Sequence, residues 1–118
     1  MSFVSLDVNA MPPFVSLCSE IERLTRHRTT VEECAPNYQR ALDYIRDNPD
    51  DHAVVVQTFR DTVIGASGPS AASIYLVRFC MRVLKWPEIR AAAEEAYKVD
   101  AGNASWGDEL RMLLEVYA

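Results

Sequence analysis

The chain has 118 residues, 49% hydrophobic and 25% charged, with a formal net charge of -5. That suits a single folded domain over residues 1–118 and excludes a disordered or fibrous chain. The acidic balance works against nucleic acid, whose phosphates are held by clustered Lys and Arg, and no apolar run approaches the roughly 20 residues of a membrane span.

Residues 1–10 alternate loosely (Phe3, Val4, Leu6, Val8), as an extended or frayed arm does. Met11-Pro12-Pro13 opens a first helix, because proline is tolerated where its missing N–H has no helical partner. Phe14, Leu17, Cys18, Ile21 and Leu24 form its apolar stripe, and Arg23, Arg26, His27 and Arg28 suit its negative end. Thr30-Val-Glu-Glu33 reads as a capping box, but Pro36 follows so soon that a short turn and a restart at about Pro36 are expected. The restarted helix reaches Asp47 and buries Tyr38, Ala41, Leu42 and Ile45. Asn48-Pro49-Asp50-Asp51 is a break, with an Asp capping the next helix. Ala53-Val-Val-Val56 has strand-like composition, yet Val55, Val56, Phe59 and Val63 keep helical spacing and Gly65 stands where a helix would end, so helix is preferred.

Residues 70–86 are the stretch around which the rest is arranged, with Ser70 as the expected cap. Ile74, Leu76, Val77, Phe79, Cys80, Met81, Val83 and Leu84 cover most of a helix's circumference, which predicts burial on nearly every side. Arg78, Arg82 and Lys85 recur at i, i+4, i+7 in a run without an acid, so their partners must come from elsewhere: Glu94, Glu95, solvent or a second protein. Pro87 starts another helix with Ile89, Ala92, Ala93 and Ala96 inside and Arg90, Glu94 and Lys98 outside. A tight antiparallel hairpin with the preceding helix is expected. After the loop Asp100-Ala-Gly-Asn103, Ser105-x-x-Asp108 resembles a capping box for a last helix that turns Trp106, Leu110, Leu113, Leu114 and Tyr117 inward and Asp108, Arg111 and Glu115 to water. A shift of 38 positions lays Pro49 on Pro87, Phe59 on Tyr97 and Arg60 on Lys98, a faint echo that favours stacked hairpins over a four-helix bundle.

Catalytic and metal motifs fail on inspection. Gly65-Ala-Ser-Gly68 continues into Pro69 and so is no nucleophile elbow, and it lacks the Lys of a phosphate loop. A calcium loop from Asp47 would need Gly and Glu where His52 and Thr58 stand. His27 and His52 have no second ligand at metal spacing, and Cys18, Cys34 and Cys80 fit neither a zinc module nor a disulfide framework. Buried reduced thiols and a start without a basic secretory region point to the cytoplasm, where the Asn103-Ala-Ser105 sequon marks only a loop.

These features predict an all-α fold of five or six short antiparallel helices, HEAT-like stacked hairpins around a buried central helix. The expected function is non-catalytic, without cofactor or metal: a protein-binding module of the inhibitor or immunity kind found among small acidic bacterial proteins, which neutralises a partner by occlusion. Trp86 with Arg78, Arg82 and Lys85 is one candidate surface. Asp43, Asp47, Asp50 and Asp51 on one corner and Glu94 and Glu95 on another would meet a basic partner. The alternatives are a small enzyme or ligand-binding protein with a pocket between helices, which needs a Cys within reach of His27 or His52, and a structural homo-oligomer such as a homodimer.

Overall fold

Proline punctuates the chain at regular intervals, with Pro13, Pro49 and Pro87 each the first residue of a helical segment, where the fixed φ and the absent donor suit a helix start. The computed structural model describes residues 12–27, 30–65, 72–100, 102 and 104–118. The expected arm over 1–10, the cap at Ser70, the loop over 66–69 and the sequon at Asn103 lie outside them. Among the described residues there are six α-helices: α1 (Pro13–Thr25), α2 (Val31–Asp47), α3 (His52–Val63), α4 (Ile74–Leu84), α5 (Pro87–Asp100) and α6 (Ala104–Glu115), with a 3-10 turn, Pro49–Asp51, leading into α3. The fold is all-α.

The helices associate as three successive pairs: α1 with α2, α3 with α4, α5 with α6. Between pairs, α3 packs on α1 and α5, while α4 packs on α2 and α6. Odd and even helices thus form two rows. Pro49 and Pro87, laid together by the 38-residue shift, open the 3-10 turn before α3 and α5 itself. One expectation is corrected here. α5 does not fold back along α4 as a tight hairpin; its face of Ile89, Ala92, Ala93 and Ala96 is buried and α5 packs on α3 and α6 instead. Small residues admit close approach by any helix, so they do not choose the partner.

α2 corrects a second expectation, because it runs unbroken through Pro36. The capping box forms in full: the Thr30 N–H donates to Glu33 Oε1 at 3.1 Å and the Glu33 N–H donates to Thr30 Oγ1 at 3.2 Å. Pro36 and Glu32, one turn before it, are both exposed, so the carbonyl that proline leaves without a helical donor belongs to the solvent side of the helix. The box contributes about 1 kcal/mol, and burial of Cys34, Tyr38, Ala41, Leu42 and Ile45 outweighs the rest of a proline penalty of about 3 kcal/mol.

α3 takes the valine-rich run as a helix, with Val55, Phe59 and Val63 buried. Asp51 does not cap it; its carboxylate instead accepts the Tyr44 hydroxyl, bracing the turn against α2. That bond is also the main reason the Tyr44 hydroxyl titrates above its usual range. Gly65 ends the segment at φ +65, a left-handed angle that glycine adopts without strain. Two buried hydroxyls stayed hidden in the sequence. Thr58 donates to the Val54 carbonyl at 2.8 Å, and Thr62 Oγ1 lies 3.0 Å from the Ala72 carbonyl, fastening α3 to the approach to α4.

α4 begins later than expected, at Ile74, capped by Ser73, whose Oγ accepts the Leu76 N–H at 3.2 Å. Ile74, Leu76, Val77, Cys80 and Met81 are buried, but Tyr75 and Val83 are each 49% exposed. Burial all round is therefore corrected to burial on three sides, because α2, α3 and α6 leave the fourth open. Two smaller corrections follow in the last helices. Lys98 pairs with Glu95 at 3.0 Å and leaves Glu94 to Arg90, and Ser105 sits inside the first turn of α6, which already starts at Ala104.

Cys18, Cys34 and Cys80 are free and buried. Burial pushes the Cys18 and Cys80 thiols up to about 12, with nearby Glu22 adding to the first and Cys18 to the second. The unfolded chain releases these protons near the ordinary 9.0, the folded chain only near 12. Their contribution to stability is whole below pH 9 and is lost as pH rises toward 12, by up to about 1.4 kcal/mol per pH unit for each thiol. Denaturant melts from pH 8 to 11 are expected to show that decline, Cys80→Ala to reduce its slope, and a thiol reagent at pH 8 to miss both residues until the chain unfolds. A slope unchanged by the substitution, or rapid native labelling of Cys80, contradicts this account.

Candidate functional site

Trp86 occupies the turn between α4 and α5, and its backbone is held from both sides. Lys85 closes α4 in left-handed angles at φ 49, uncommon outside glycine, with its N–H on the Met81 carbonyl at 3.0 Å. On the other side Pro87 biases Trp86 toward extended angles. The Trp86 carbonyl then accepts the Ile89 and Arg90 N–H groups, each at 3.2 Å, and the Tyr117 hydroxyl at 2.8 Å. Burial is the first reason that the Tyr117 hydroxyl is pushed up to about 12. The indole is half-buried and meets the His52 ring edge-on, centroids 4.3 Å apart.

Beside this pair opens a groove of about 300 Å³, with apolar lining from Ile45, Val55, Leu84 and Trp86 and one cation, Arg46. Asn48, Pro49 and His52 bring the α2–α3 turn to its edge. Asp47, Asp50 and Asp51 alternate with those three along the chain, so the fold draws together Trp86 and the acidic corner, which lie some 35 positions apart in sequence. Asp51 is engaged by Tyr44 and Asp43 accepts from Gln39 at 2.9 Å, whereas Asp47 and Asp50 are exposed and unpaired among the described residues. His52 Nε2 lies 3.0 Å from Glu88 Oε2, clamping the turn to the start of α5. The hydrogen bond from His52, with Glu88's own backbone N–H, holds the Glu88 carboxyl below the usual carboxylate range.

The cationic strip does not survive as one surface. Arg78 Nη1 pairs with Glu109 Oε1 at 3.2 Å, its side chain only 12% exposed, and its guanidinium lies 5.5 Å from the centre of the Tyr75 ring. Lys85 is outside the helix and donates to the Val116 carbonyl. Arg82 remains exposed, with neither a hydrogen-bond nor an ion-pair partner among the described residues. Glu94 and Glu95, offered as partners for the strip or as a second acidic patch, are taken by Arg90 and Lys98 on their own helix. Glu109 supplies the carboxylate for Arg78. It stands beside the inward Leu110 of α6, and that place at the edge of the apolar stripe is the one signal that marked it.

No described Cys joins a described His. The thiols are sealed in the core, while His27 is exposed at the end of α1 and His52 engages Glu88 and Trp86. Among the described residues no group of three His, Cys, Asp or Glu side chains is placed to hold a metal ion, and no helix is long and apolar enough to cross a membrane. No protein-family model, curated protein or solved structure matches the chain.

Proposed function

We propose that this protein is a non-catalytic protein-binding module of the inhibitor or immunity kind, acting in the reducing cytoplasm, and that it covers a basic segment of its partner with the groove beside Trp86. The observation that supports the reading is the meeting of a backbone-fixed, half-buried tryptophan with a largely apolar groove whose bordering turn carries the exposed, unpaired Asp47 and Asp50. Tryptophan fixed before binding loses little freedom on contact, which is why it recurs where interface energy is concentrated. Asp47 lends support from stability. It closes α2 at the negative end of the helix dipole, where a carboxylate costs a few tenths of a kcal/mol, so folding alone gives no reason for it there. Its use is in drawing an Arg or Lys to the rim and raising the association rate. The two-row packing of hairpins fits a HEAT-like stack, a scaffold that presents such surfaces without internal movement.

Affinity capture from the native host, followed by binding kinetics with the purified partner, tests this. Trp86→Ala is expected to weaken binding by about 100-fold, mainly through faster dissociation. Asp47→Asn with Asp50→Asn is expected to slow association severalfold and flatten its dependence on salt. A partner that binds Trp86→Ala as tightly as the wild type removes the groove from the proposal. An association rate indifferent to salt removes the charge component.

A further inference from the structure

The side of α4 left open by its neighbours carries Tyr75, Arg82 and Val83, at i, i+7 and i+8, with Phe79 on the same ridge but leaning on the Tyr38 ring of α2. Tyr75 and Val83 are each 49% exposed and Phe79 is half-buried. Next to the ridge, Met112, 38% exposed, and Val116 sit one turn apart at the end of α6. A notch of about 220 Å³ lies between the two, lined by Arg78, Arg82, Met112, Glu115 and Val116. It has room for one aliphatic side chain.

Charge decides what belongs there. Arg78 is neutralised by Glu109, Lys85 is spent on a backbone carbonyl, and Glu115 is held by Arg111 at 2.8 Å. Among the described residues Arg82 is thus a guanidinium with no carboxylate of its own, set among exposed apolar groups whose desolvation on binding would strengthen its pull on an acid. We propose that this open side of α4, together with Met112 of α6, is a docking face for an acidic amphipathic helix of a partner protein, which places a carboxylate on Arg82 and an apolar side chain in the notch.

A helix fits because two adjacent ridges with a groove between them receive the ridge of a third, and an acid one turn from an apolar residue spans the distance from Arg82 to the notch. A second copy of this chain fits less well. Several of its helical carboxylates are already engaged, Glu20 by Arg40, Glu94 by Arg90, Glu95 by Lys98 and both Asp108 and Glu115 by Arg111, and the unpaired Asp47 stands at the Trp86 corner. The face shares no residue with the Trp86 groove and does not depend on it.

The test is selection of a displayed library of helical peptides against the full-length protein, with the winners measured on variants. Sequences carrying Asp or Glu three or four residues from Leu, Ile or Phe are expected. Their affinity should fall at least about tenfold on Arg82→Glu, fall on Tyr75→Ala, and hold on Trp86→Ala. Arg82 and Tyr75 are exposed, so both variants should keep the wild-type circular dichroism. Winners that are basic, that bind Arg82→Glu unchanged, or that are lost only on Trp86→Ala overturn the proposal, the last while upholding the groove. Sedimentation showing a dimer that Arg82→Glu dissolves overturns it in favour of a second copy.

Discussion

Phe59→Ala is expected to cost about 3–5 kcal/mol of unfolding free energy, a large part of the 5–15 kcal/mol that holds a domain of this size together. Phe59 is fully buried in the middle of α3, the odd-row helix that touches both outer pairs. Its ring meets Phe14 of α1 edge-on, centroids 5.6 Å apart at 68°, so truncation removes an aromatic contact as well as buried area. Two short helical pairs cannot close the void by sliding, because α3 is held at both ends: by the Thr62 hydroxyl near Ala72 and by the His52–Glu88 pair. Phe59→Leu should cost less, about 1–2 kcal/mol, and Val83→Ala on the open side of α4 less than about 0.5 kcal/mol. Urea denaturation read by circular dichroism at pH 7 ranks the three. Equal losses for Phe59→Ala and Val83→Ala would mean that the core does not lie where the packing puts it.

What was legible in the sequence follows a physical divide. Apolar residues at helical spacing report which face of an element leaves water, so Phe14, Cys18 and Ile21, Ile89 and Ala93, or Leu110 and Leu113 could be assigned to the interior before any fold was known. Prolines and glycines report where backbone angles change, which placed the starts at Pro13 and Pro87 and the end at Gly65. Periodicity does not say which helix covers which. Adjacency in sequence points to α4 as the hairpin partner of α5, yet the alanines that allow that contact allow contact with α3 equally. The all-round apolar surface of α4 overstates its burial for a related reason: composition counts greasy positions but not the neighbours available to cover them. Polar pairings were the least legible. Arg78 with Glu109, His52 with Glu88 and Tyr117 with the Trp86 carbonyl each join residues 31 or 36 positions apart. The candidate site was half readable on the same grounds. Trp86 and the acidic turn each stood out by residue type, but only the fold makes them neighbours and withdraws Arg78, Lys85, Glu94 and Glu95 into pairings of their own.

Glu109→Leu is expected to destabilise the protein by about 2–3 kcal/mol, more than an ordinary surface ion pair allows. The reason lies in what is left behind. Arg78 is 12% exposed and Glu109 24%, so removing the acid strands a guanidinium that water reaches poorly, and the Tyr75 hydroxyl loses its acceptor at 3.2 Å. Arg78→Met leaves the better-hydrated carboxylate and should cost less, about 1 kcal/mol. The double variant, Arg78→Met with Glu109→Leu, should return close to wild-type stability, because two apolar chains of similar volume fill the seam between α4 and α6 without a desolvated charge. A coupling energy of about 1.5 kcal/mol or more across the cycle is the expected signature. Tyr75 offers an independent reading. The Glu109 charge is the first cause holding its hydroxyl above the usual range, with burial and the hydrogen bond adding to it. In Glu109→Leu the hydroxyl should titrate earlier, nearer its ordinary value of 10.0, which an ultraviolet titration of the single variant against wild type detects. Additive losses in the cycle, with Tyr75 titrating as before, would show that the pair lies open to solvent and that the even row is held by its apolar contacts alone.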